Sequence, residues 1–391
     1  MPMTAQDQAL LYQAIALAHG AISLSEPNPR VGCLLLDATG LPAGEGHTQQ
    51  AGGPHAEVMA LRAALACGHD LAGGTAYVSL EPCAHHGRTP PCADALVAAG
   101  LRRVVVACLD PFEQVAGKGL AILRAAGLQV DVAPPGPARS AAQALNIGFF
   151  SRVIRQRPWL RMKIAASLDG RTALPDGRSQ WITGAAARAD GHRWRARAGA
   201  VLTGIGTVLD DDPRLDVRLD VRSEVGLDVR PAPSLLQPAR IVLDTHYRTP
   251  PGARLIAGPG QARVIGAQPH DARMAALRQA GALVQNLPSA SGQVDLAALL
   301  GQLGREGINE LHVEAGARLN AALLTAGLVD ELLVYLAPQL LGPGRGMVDW
   351  PALASLPAAG TWQFEHTELV GDDLCLRLRR PGAAGFLPQD S

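Results

Sequence analysis

His55-Ala56-Glu57, Glu81-Pro82-Cys83 and Cys92 are the residues of this chain whose types and spacing could do chemistry. One imidazole and two thiolates suit a zinc ion, and three protein ligands leave the fourth tetrahedral position open to water. On such an ion the pKa of water falls to about 7. Glu57 stands two residues beyond the histidine and can carry protons instead of binding metal. A metal-activated hydroxide with a carboxylate beside it can attack an amidine-like ring carbon while the carboxylate delivers protons to departing ammonia. A closed structural site would need a fourth protein ligand, which His85 or His86 could supply.

Nucleobase deaminases with this chemistry usually place their two cysteines as Pro-Cys-x-x-Cys, whereas here Ala84 to Pro91 separate Cys83 from Cys92. Pro90-Pro91 suit a helix start and Ala93 to Ala99 continue with helical periodicity, which predicts Cys92 in a first turn. Backbone N–H groups there favour a thiolate. Gly52-Gly53-Pro54 before His55 and Val58-Met59-Ala60-Leu61 after it predict that His55 and Glu57 open another helix. Two helix starts then converge on one ion, and the residues between the cysteines form a polar loop able to touch substrate. Cys33, Cys67, Cys108 and Cys375 read as small buried hydrophobes.

With 391 residues the chain exceeds one ordinary core, so two domains are expected. Its 35 basic and 35 acidic residues balance, which argues against a nucleic-acid surface, since phosphate neutralisation needs a basic excess. Met1 to Gln8 is polar and no apolar run approaches a membrane span, so neither a secretory leader nor a membrane partner is expected. Six cysteines without a pairing pattern fit a reducing cytoplasm.

The first part alternates helix and strand: an amphipathic stretch from Gln6 to His19, strands at Val31–Leu36, Thr75–Leu80 and Arg103–Cys108, and the two helices that open at His55 and Cys92. This reads as a layered α/β sheet with the metal residues beyond strand ends. Ala133-Pro134-Pro135-Gly136-Pro137 breaks the pattern, and Ala138 to Phe150 looks helical. The expected organisation is residues 1–150, residues 151–380 and a loose tail, 381–391. In the second part, strands are expected at Trp159–Ala165, Ala200–Thr203, Ile241–Leu243, Val264–Gly266 and Leu311–Val313, with a helix at Ala185–Arg197. Leu332–Leu336, Trp362–Leu369 and Leu374–Leu378 follow without intervening helices, which predicts a mixed sheet with an antiparallel edge.

Leu-Asp-Val-Arg occurs three times, ending at Arg218, Arg222 and Arg230, and reads as an inserted loop or hairpin. No Gly-x-Gly-x-x-Gly follows a strand in the second part. Gly204-Ile205-Gly206 and Glu314-Ala315-Gly316 each join a predicted strand to a helical run, which fits either a phosphate approaching a helix start or a simple tight turn. Asp210-Asp211-Asp212 fits a solvated cap as well as a site, and Lys163 and Arg195 fit surface charges as well as ligands.

Asn28-Pro29-Arg30-Val31-Gly32, Pro54-His55-Ala56-Glu57, Leu80-Glu81-Pro82-Cys83 and His85-His86-Gly87-Arg88-Thr89-Pro90-Pro91-Cys92 resemble the deaminase half of the bifunctional riboflavin-biosynthesis deaminase-reductases. The second half resembles their reductase in Lys163 to Thr172, Ser179-Gln180-Trp181-Ile182-Thr183, Thr207-Val208-Leu209, Asp211-Asp212-Pro213 and Val313-Glu314-Ala315-Gly316. The long loop between the cysteines is that family's own version.

The resemblance implies a cytidine-deaminase-like α/β/α domain followed by a dihydrofolate-reductase-like α/β domain. It implies zinc-hydroxide deamination of 2,5-diamino-6-(5-phosphoribosylamino)pyrimidin-4(3H)-one and then NADPH reduction of the ribosyl group to ribityl. One Zn2+ per chain and NADPH are the implied cofactors, and a phosphoribosylaminopyrimidine is the small-molecule partner, with homo-oligomerisation left open. By motif match His55, Cys83 and Cys92 bind zinc, Glu57 shuttles protons, and Asn28, His85 and Arg88 contact substrate. Ala165, Trp181, Thr207, Asp211, Thr245, Gly316, Ala317, Arg318, Leu319, Asn320, Ala321 and Ala322 would face the nucleotide. Ser179, Arg195, Leu215, Arg218 and Glu314 would hold the reductase substrate, and Leu219 and Arg222 offer the same side chains one repeat later. Two rival readings are an RNA-editing deaminase with an appended binding module and a zinc-stabilised scaffold without catalysis.

Overall fold

A computed structural model describes residues 3–84, 91–112, 115–218, 235–352, 355 and 360–388. The chain divides into two compact units, Met1–Gln156 with Gly385–Ser391, and Arg157–Ala384.

The first unit contains α1 (Ala5–Ala18), β1 (Gly32–Leu36), β2 (Pro42–His47), α2 (Ala56–Ala66), β3 (Thr75–Val78), α3 (Cys92–Ala98) and β4 (Arg103–Val106). It continues through α4 (Lys118–Ala125), β5 (Gln129–Val132), α5 (Pro137–Leu145) and α6 (Ile147–Arg155). The sheet order is β2-β1-β3-β4-β5, antiparallel at β2/β1/β3 and parallel at β3/β4/β5. Every residue of β1 is buried, as the apolar run Cys33 to Leu36 requires of a strand covered on both faces. Thr4 and Asp7 form a reciprocal capping box at the start of α1. Asp7 also accepts from Tyr77 Oη at 2.8 Å and pairs with Arg103 at 2.7 Å, which ties the helix start to β3 and β4.

The antiparallel strand β2 has no counterpart in the sequence expectations. Its glycines read as loop residues but serve close packing. A Cβ at Gly44 would stand 2.3 Å from the Ala60 carbonyl oxygen, and one at Gly46 would stand 2.5 Å from that of Ala56. Strand β2 therefore lies directly against the first turns of α2, the helix that carries His55 and Glu57.

The second unit begins with β6 (Trp159–Ser167), β7 (Arg171–Ala173), α7 (Ala185–Arg197), β8 (Ala200–Gly204), α8 (Ile205–Asp211) and β9 (Ala239–Leu243). Next come α9 (Arg254–Ala257), β10 (Ala262–Gly266), α10 (Asp271–Gln279), β11 (Leu283–Asn286), α11 (Leu296–Arg305), β12 (Glu310–Glu314) and α12 (Ala317–Thr325). It closes with β13 (Glu331–Ala337), β14 (Arg345–Gly346), β15 (Gln363–Val370) and β16 (Asp373–Arg379). The main sheet runs β11-β10-β9-β8-β12-β6-β13-β16-β15, parallel as far as β13 and antiparallel beyond it. The expected antiparallel edge is present.

One face of the central strands is charged. Arg161 is paired to Glu310 at 2.8 Å and to Glu331 at 2.5 Å, and all three are essentially inaccessible. Arg197 and Arg379 complete the two carboxylates at 2.9 and 2.8 Å, so no carboxylate here lacks a partner, which burial demands.

Three sequence expectations are corrected. Cys67, read as a small buried hydrophobe, is exposed at the C-cap of α2, while Cys33, Cys108 and Cys375 are buried. The first unit does not stop at 150, because α6 carries on to Arg155 with Phe149 and Phe150 buried in the first core. The segment after 381 is not loose throughout. Phe386 and Leu387 pack against that core, the Arg155 guanidinium lies 4.3 Å from the Phe386 ring centroid, and Gln143 Nε2 donates to the Pro388 carbonyl at 3.2 Å.

Candidate active sites

His55 is the N-cap of α2 and Cys92 the first residue of α3, so two helix starts bring the donor atoms together. His55 Nδ1 lies 3.5 Å from Cys83 Sγ and 3.4 Å from Cys92 Sγ, and the three donor atoms all fall within 4.8 Å of one another. Tetrahedral zinc with bonds of about 2.3 Å to sulfur and about 2.0–2.1 Å to nitrogen sets nitrogen and sulfur roughly 3.5 Å apart. The donor set fits that ion. The helix-start N–H of Cys92 donates to Cys83 Sγ at 3.2 Å, so it favours a thiolate at Cys83 and not at Cys92, where one was expected. The two thiols act as one acid: their mutual contact, with His55 beside them, lowers Cys83 to about 4 and raises Cys92.

Glu57 is 3 % exposed in the first turn of α2. Burial, reinforced by the Cys83 charge, pushes its carboxyl up to about 7. Asn28 sits in the turn whose N–H bonds to the Ser25 carbonyl at 2.7 Å, on the approach to β1. His85 and Arg88 lie outside the described residues.

In the second unit the parallel strands end along one edge of the sheet, where such folds place ligands. Strand β8 ends at Gly204, the N-cap of α8, and its neighbour β12 leads to Gly316, the N-cap of α12. The two turns touch: a Cβ on Gly316 would lie 3.9 Å from Thr207 Oγ1, and one on Gly204 would lie 3.4 Å from Leu319 Cδ2. Two positive helix ends thus open side by side. Thr245 follows the adjacent β9 and donates to Gln293 Oε1 at 3.0 Å, while Ala165 lies on β6 opposite Tyr335. Ser179 Oγ donates to Asp211 Oδ1 at 3.2 Å. Trp181 is 69 % exposed with the Arg188 guanidinium 4.6 Å from its ring centroid.

Of the residues expected to hold the reductase substrate, Arg195, Glu314 and Arg218 are linked through Asp216, whereas Ser179 bonds to Asp211. Arg195 donates twice to Glu314, at 2.5 and 2.9 Å, and once to the Asp216 carbonyl at 3.0 Å. Arg218 reaches Asp216 Oδ1 at 2.5 Å, and its N–H donates to His192 Nδ1 at 3.2 Å. Leu215, buried between them in the chain, holds a left-handed φ of 55°. Burial alone would raise the Glu314 carboxyl, but Arg195 holds it well below the usual range. Leu219 and Arg222 lie outside the described residues. The stretch from Gly316 to Ala322 divides: Ala321 and Asn320 are buried, with Asn320 Nδ2 donating to the Met347 carbonyl at 3.0 Å, whereas Arg318 is on the surface, 3.7 Å from Asp349.

Sequence reasoning left Lys163 open between a surface charge and a ligand, and assigned no role to His312. Lys163 is in register with Glu314 across β6 and β12, its Nζ 5.9 Å from the Tyr335 ring centroid, and burial lowers its pKa. His312 Nε2 lies 3.4 Å from Glu314 Oε1. The alternation Glu310-Leu311-His312-Val313-Glu314 is the sign that would have found His312, since it puts three polar side chains on one face of a buried strand. The tripeptide Glu81-Pro82-Cys83 also holds more than a ligand, because Glu81 is buried and fully engaged.

Residues 4–108 match the cytidine and deoxycytidylate deaminase zinc-binding region, and residues 158–376 match the RibD C-terminal domain. Fold and sites therefore define an enzyme that joins a deaminase domain to a reductase domain. The chain is 46% identical over 376 residues to the riboflavin biosynthesis protein RibD of Escherichia coli strain K12, covering 95% of this chain and 99% of that protein. It is similar to the structure of Acinetobacter baumannii RibD, form 1, with a TM-score of 0.82, 41% identity and coverage of 96% and 99%. A diaminohydroxyphosphoribosylaminopyrimidine deaminase/5-amino-6-(5-phosphoribosylamino)uracil reductase from Thermotoga maritima matches with a TM-score of 0.81, 27% identity and coverage of 96% and 99%. The chain belongs to the RibD family. Among the described residues no helix is long and apolar enough to cross a membrane.

Proposed function

We propose that this chain works in riboflavin biosynthesis, deaminating 2,5-diamino-6-(5-phosphoribosylamino)pyrimidin-4(3H)-one in its first unit. The second unit then reduces the ribosyl group of the product with NADPH, giving 5-amino-6-(5-phosphoribitylamino)uracil. The observation that carries this reading is the His55, Cys83 and Cys92 donor set with the buried Glu57 beside it. The relatives, named for both activities or for the pathway, support the substrate.

His55, Cys83 and Cys92 would hold one zinc ion. Zinc bound there supplies Lewis acidity and lowers the pKa of a water in the open position. Glu57 would accept a proton as the water oxygen bonds to C2 and would pass the two water protons on, one to the ring nitrogen and one to the exocyclic 2-amino nitrogen, so that the exocyclic C2–N bond breaks, ammonia leaves and C2 keeps the oxygen as a carbonyl. Asn28, His85 and Arg88 would orient the pyrimidine and its phosphate.

In the second unit NADPH supplies the hydride, and the protein's task is to bind, orient and exclude water. Ala165, Trp181, Thr207, Asp211, Thr245 and the stretch from Gly316 to Ala322 would face the nucleotide, with the paired helix starts beside Gly204 and Gly316 suited to its phosphates. Ser179, Arg195, Leu215, Arg218 and Glu314 would hold the ribose phosphate end, for which arginines suit best. We place the enzyme in the cytoplasm, acting on small molecules.

A coupled assay on the purified chain tests this, following ammonia and cofactor oxidation separately with each nicotinamide cofactor. Chelation of zinc is expected to stop ammonia release and spare the reduction of deaminated substrate, with zinc restoring the first step. Ammonia release that survives complete metal removal overturns the reading.

A further inference from the structure

The Glu81-Pro82-Cys83 segment is gripped at both ends by a helix start. At Cys83 the first turn of α3 supplies the Cys92 N–H to Sγ and the Ala93 N–H to the Cys83 carbonyl, each at 3.2 Å. At the other end the Glu81 side chain, in a residue only 4 % exposed, accepts from four backbone N–H groups. Asp110 and Gly117 donate to Oε2 at 3.3 and 3.0 Å, and Gly119 and Leu120 to Oε1 at 3.1 and 3.4 Å. Gly117 is the N-cap of α4, so the carboxylate satisfies N–H groups that the helix start leaves unpaired and meets its positive end.

Steric contact reaches the same segment independently. A Cβ on Gly119 would stand 2.0 Å from the Pro82 carbonyl oxygen, so α4 sits directly on the peptide between the carboxylate and the cysteine. Pro82 has a fixed φ, which leaves little torsional play between the anchor and the thiol.

The geometry points to Glu81 as a positioning residue for the metal: it clamps the segment to the start of α4 and, through Pro82, holds Cys83 Sγ at its 3.5 Å spacing from His55 Nδ1. Gly119 is the seat that lets this clamp close. The Glu81 carboxylate is held by backbone N–H groups and would act on the site through the backbone. The inference rests on reading His55, Cys83 and Cys92 as a zinc site.

The test compares Glu81→Gln and Gly119→Ala with the unaltered full-length chain. Gln keeps the size of Glu but turns one acceptor oxygen into a donor facing N–H groups. Gly119→Ala keeps the carboxylate and pushes on Pro82. Zinc-loaded protein is mixed with a chromogenic chelator, and cobalt-substituted protein is read at its thiolate-to-cobalt charge-transfer band. Both variants are expected to lose zinc faster to the chelator, with an affinity weakened about 10–100-fold, the range for residues that support metal ligands. Both should show a weaker, displaced cobalt band, while reduction of deaminated substrate continues at the unaltered rate. A residue that only stabilises the fold would lower the melting temperature of the metal-free protein and leave zinc release and the cobalt band unchanged; that outcome overturns the inference. Should Glu81→Gln be insoluble, Gly119→Ala decides by the same two readouts. An unaltered chain that takes up neither zinc nor cobalt refutes the metal reading itself, which is a different failure.

Discussion

Glu314 and Arg195 meet through two parallel hydrogen bonds, Nε to Oε1 at 2.5 Å and Nη2 to Oε2 at 2.9 Å, with their side chains 17 % and 14 % exposed. Such a fork fixes both groups in orientation as well as charge. Glu314→Gln breaks the charge match and leaves Arg195 free to turn. Loss of a charged hydrogen bond is worth about 1.5–3 kcal/mol, or roughly 10–100-fold in kcat/KM for the reduction. Ammonia release should be untouched. Equal losses in both half-reactions would show that the pair supports the fold and not the site.

Glu57→Gln keeps the shape of the first site and removes the carboxyl proposed to carry its protons. Ammonia release is expected to fall by about 10²–10⁴-fold, the usual range for general acid–base catalysis, with zinc content and cofactor oxidation unchanged. Metal analysis alongside the ammonia assay checks this, and a variant that still deaminates at full rate removes Glu57 from the mechanism.

Acid stability of the first unit should depend on Asp7. Burial raises its carboxyl, but the Arg103 guanidinium, the Thr4 N–H and Tyr77 Oη outweigh burial and hold it well below the usual carboxylate range. A carboxyl depressed on folding stabilises the native state above its unfolded value of about 3.9, and the benefit is lost as pH falls toward the folded value. Asp7→Asn is therefore expected to cost about 2–3 kcal/mol at neutral pH and progressively less below pH 4. Urea melts of both proteins across that range measure the gap; a gap constant with pH contradicts the assignment.

Phe386 should matter to the first unit despite its place near the far end of the chain. Half-buried, under the Arg155 guanidinium, it is worth about 1–2 kcal/mol by burial and cation–π contact. Phe386→Ala is expected to lower the melting transition of the first unit and leave that of the second in place, as calorimetry can resolve. A shift confined to the second transition would reverse the assignment.

Much of the candidate metal site was legible because its spacing is local. The residues flanking His55 and Cys92 mark helix starts, and α2 and α3 begin there. Helix α7 begins and ends where periodicity placed it. Strand β2 was hidden because Gly44 and Gly46 are chosen for contact with α2, a constraint with no local trace. The same holds for Asn146, which splits the expected helix after Ala138 into α5 and α6. Its side chain exchanges hydrogen bonds with the backbone of Arg30 at 2.8 Å, a partner 116 positions away. Glu81 stood in plain view beside a ligand, yet its partners at 110 to 120 are fixed only by the tertiary fold.

The return of the segment from Gly385 to the first core has a consequence for how the molecule is made. Phe386 and Leu387 leave the ribosome only after β16, so the half of the enzyme synthesised first stays one piece short until the half synthesised last has emerged. A reporter that senses strain near residue 388 would then register maturation of the amino-terminal half, and truncation there would weaken the deaminase before the reductase.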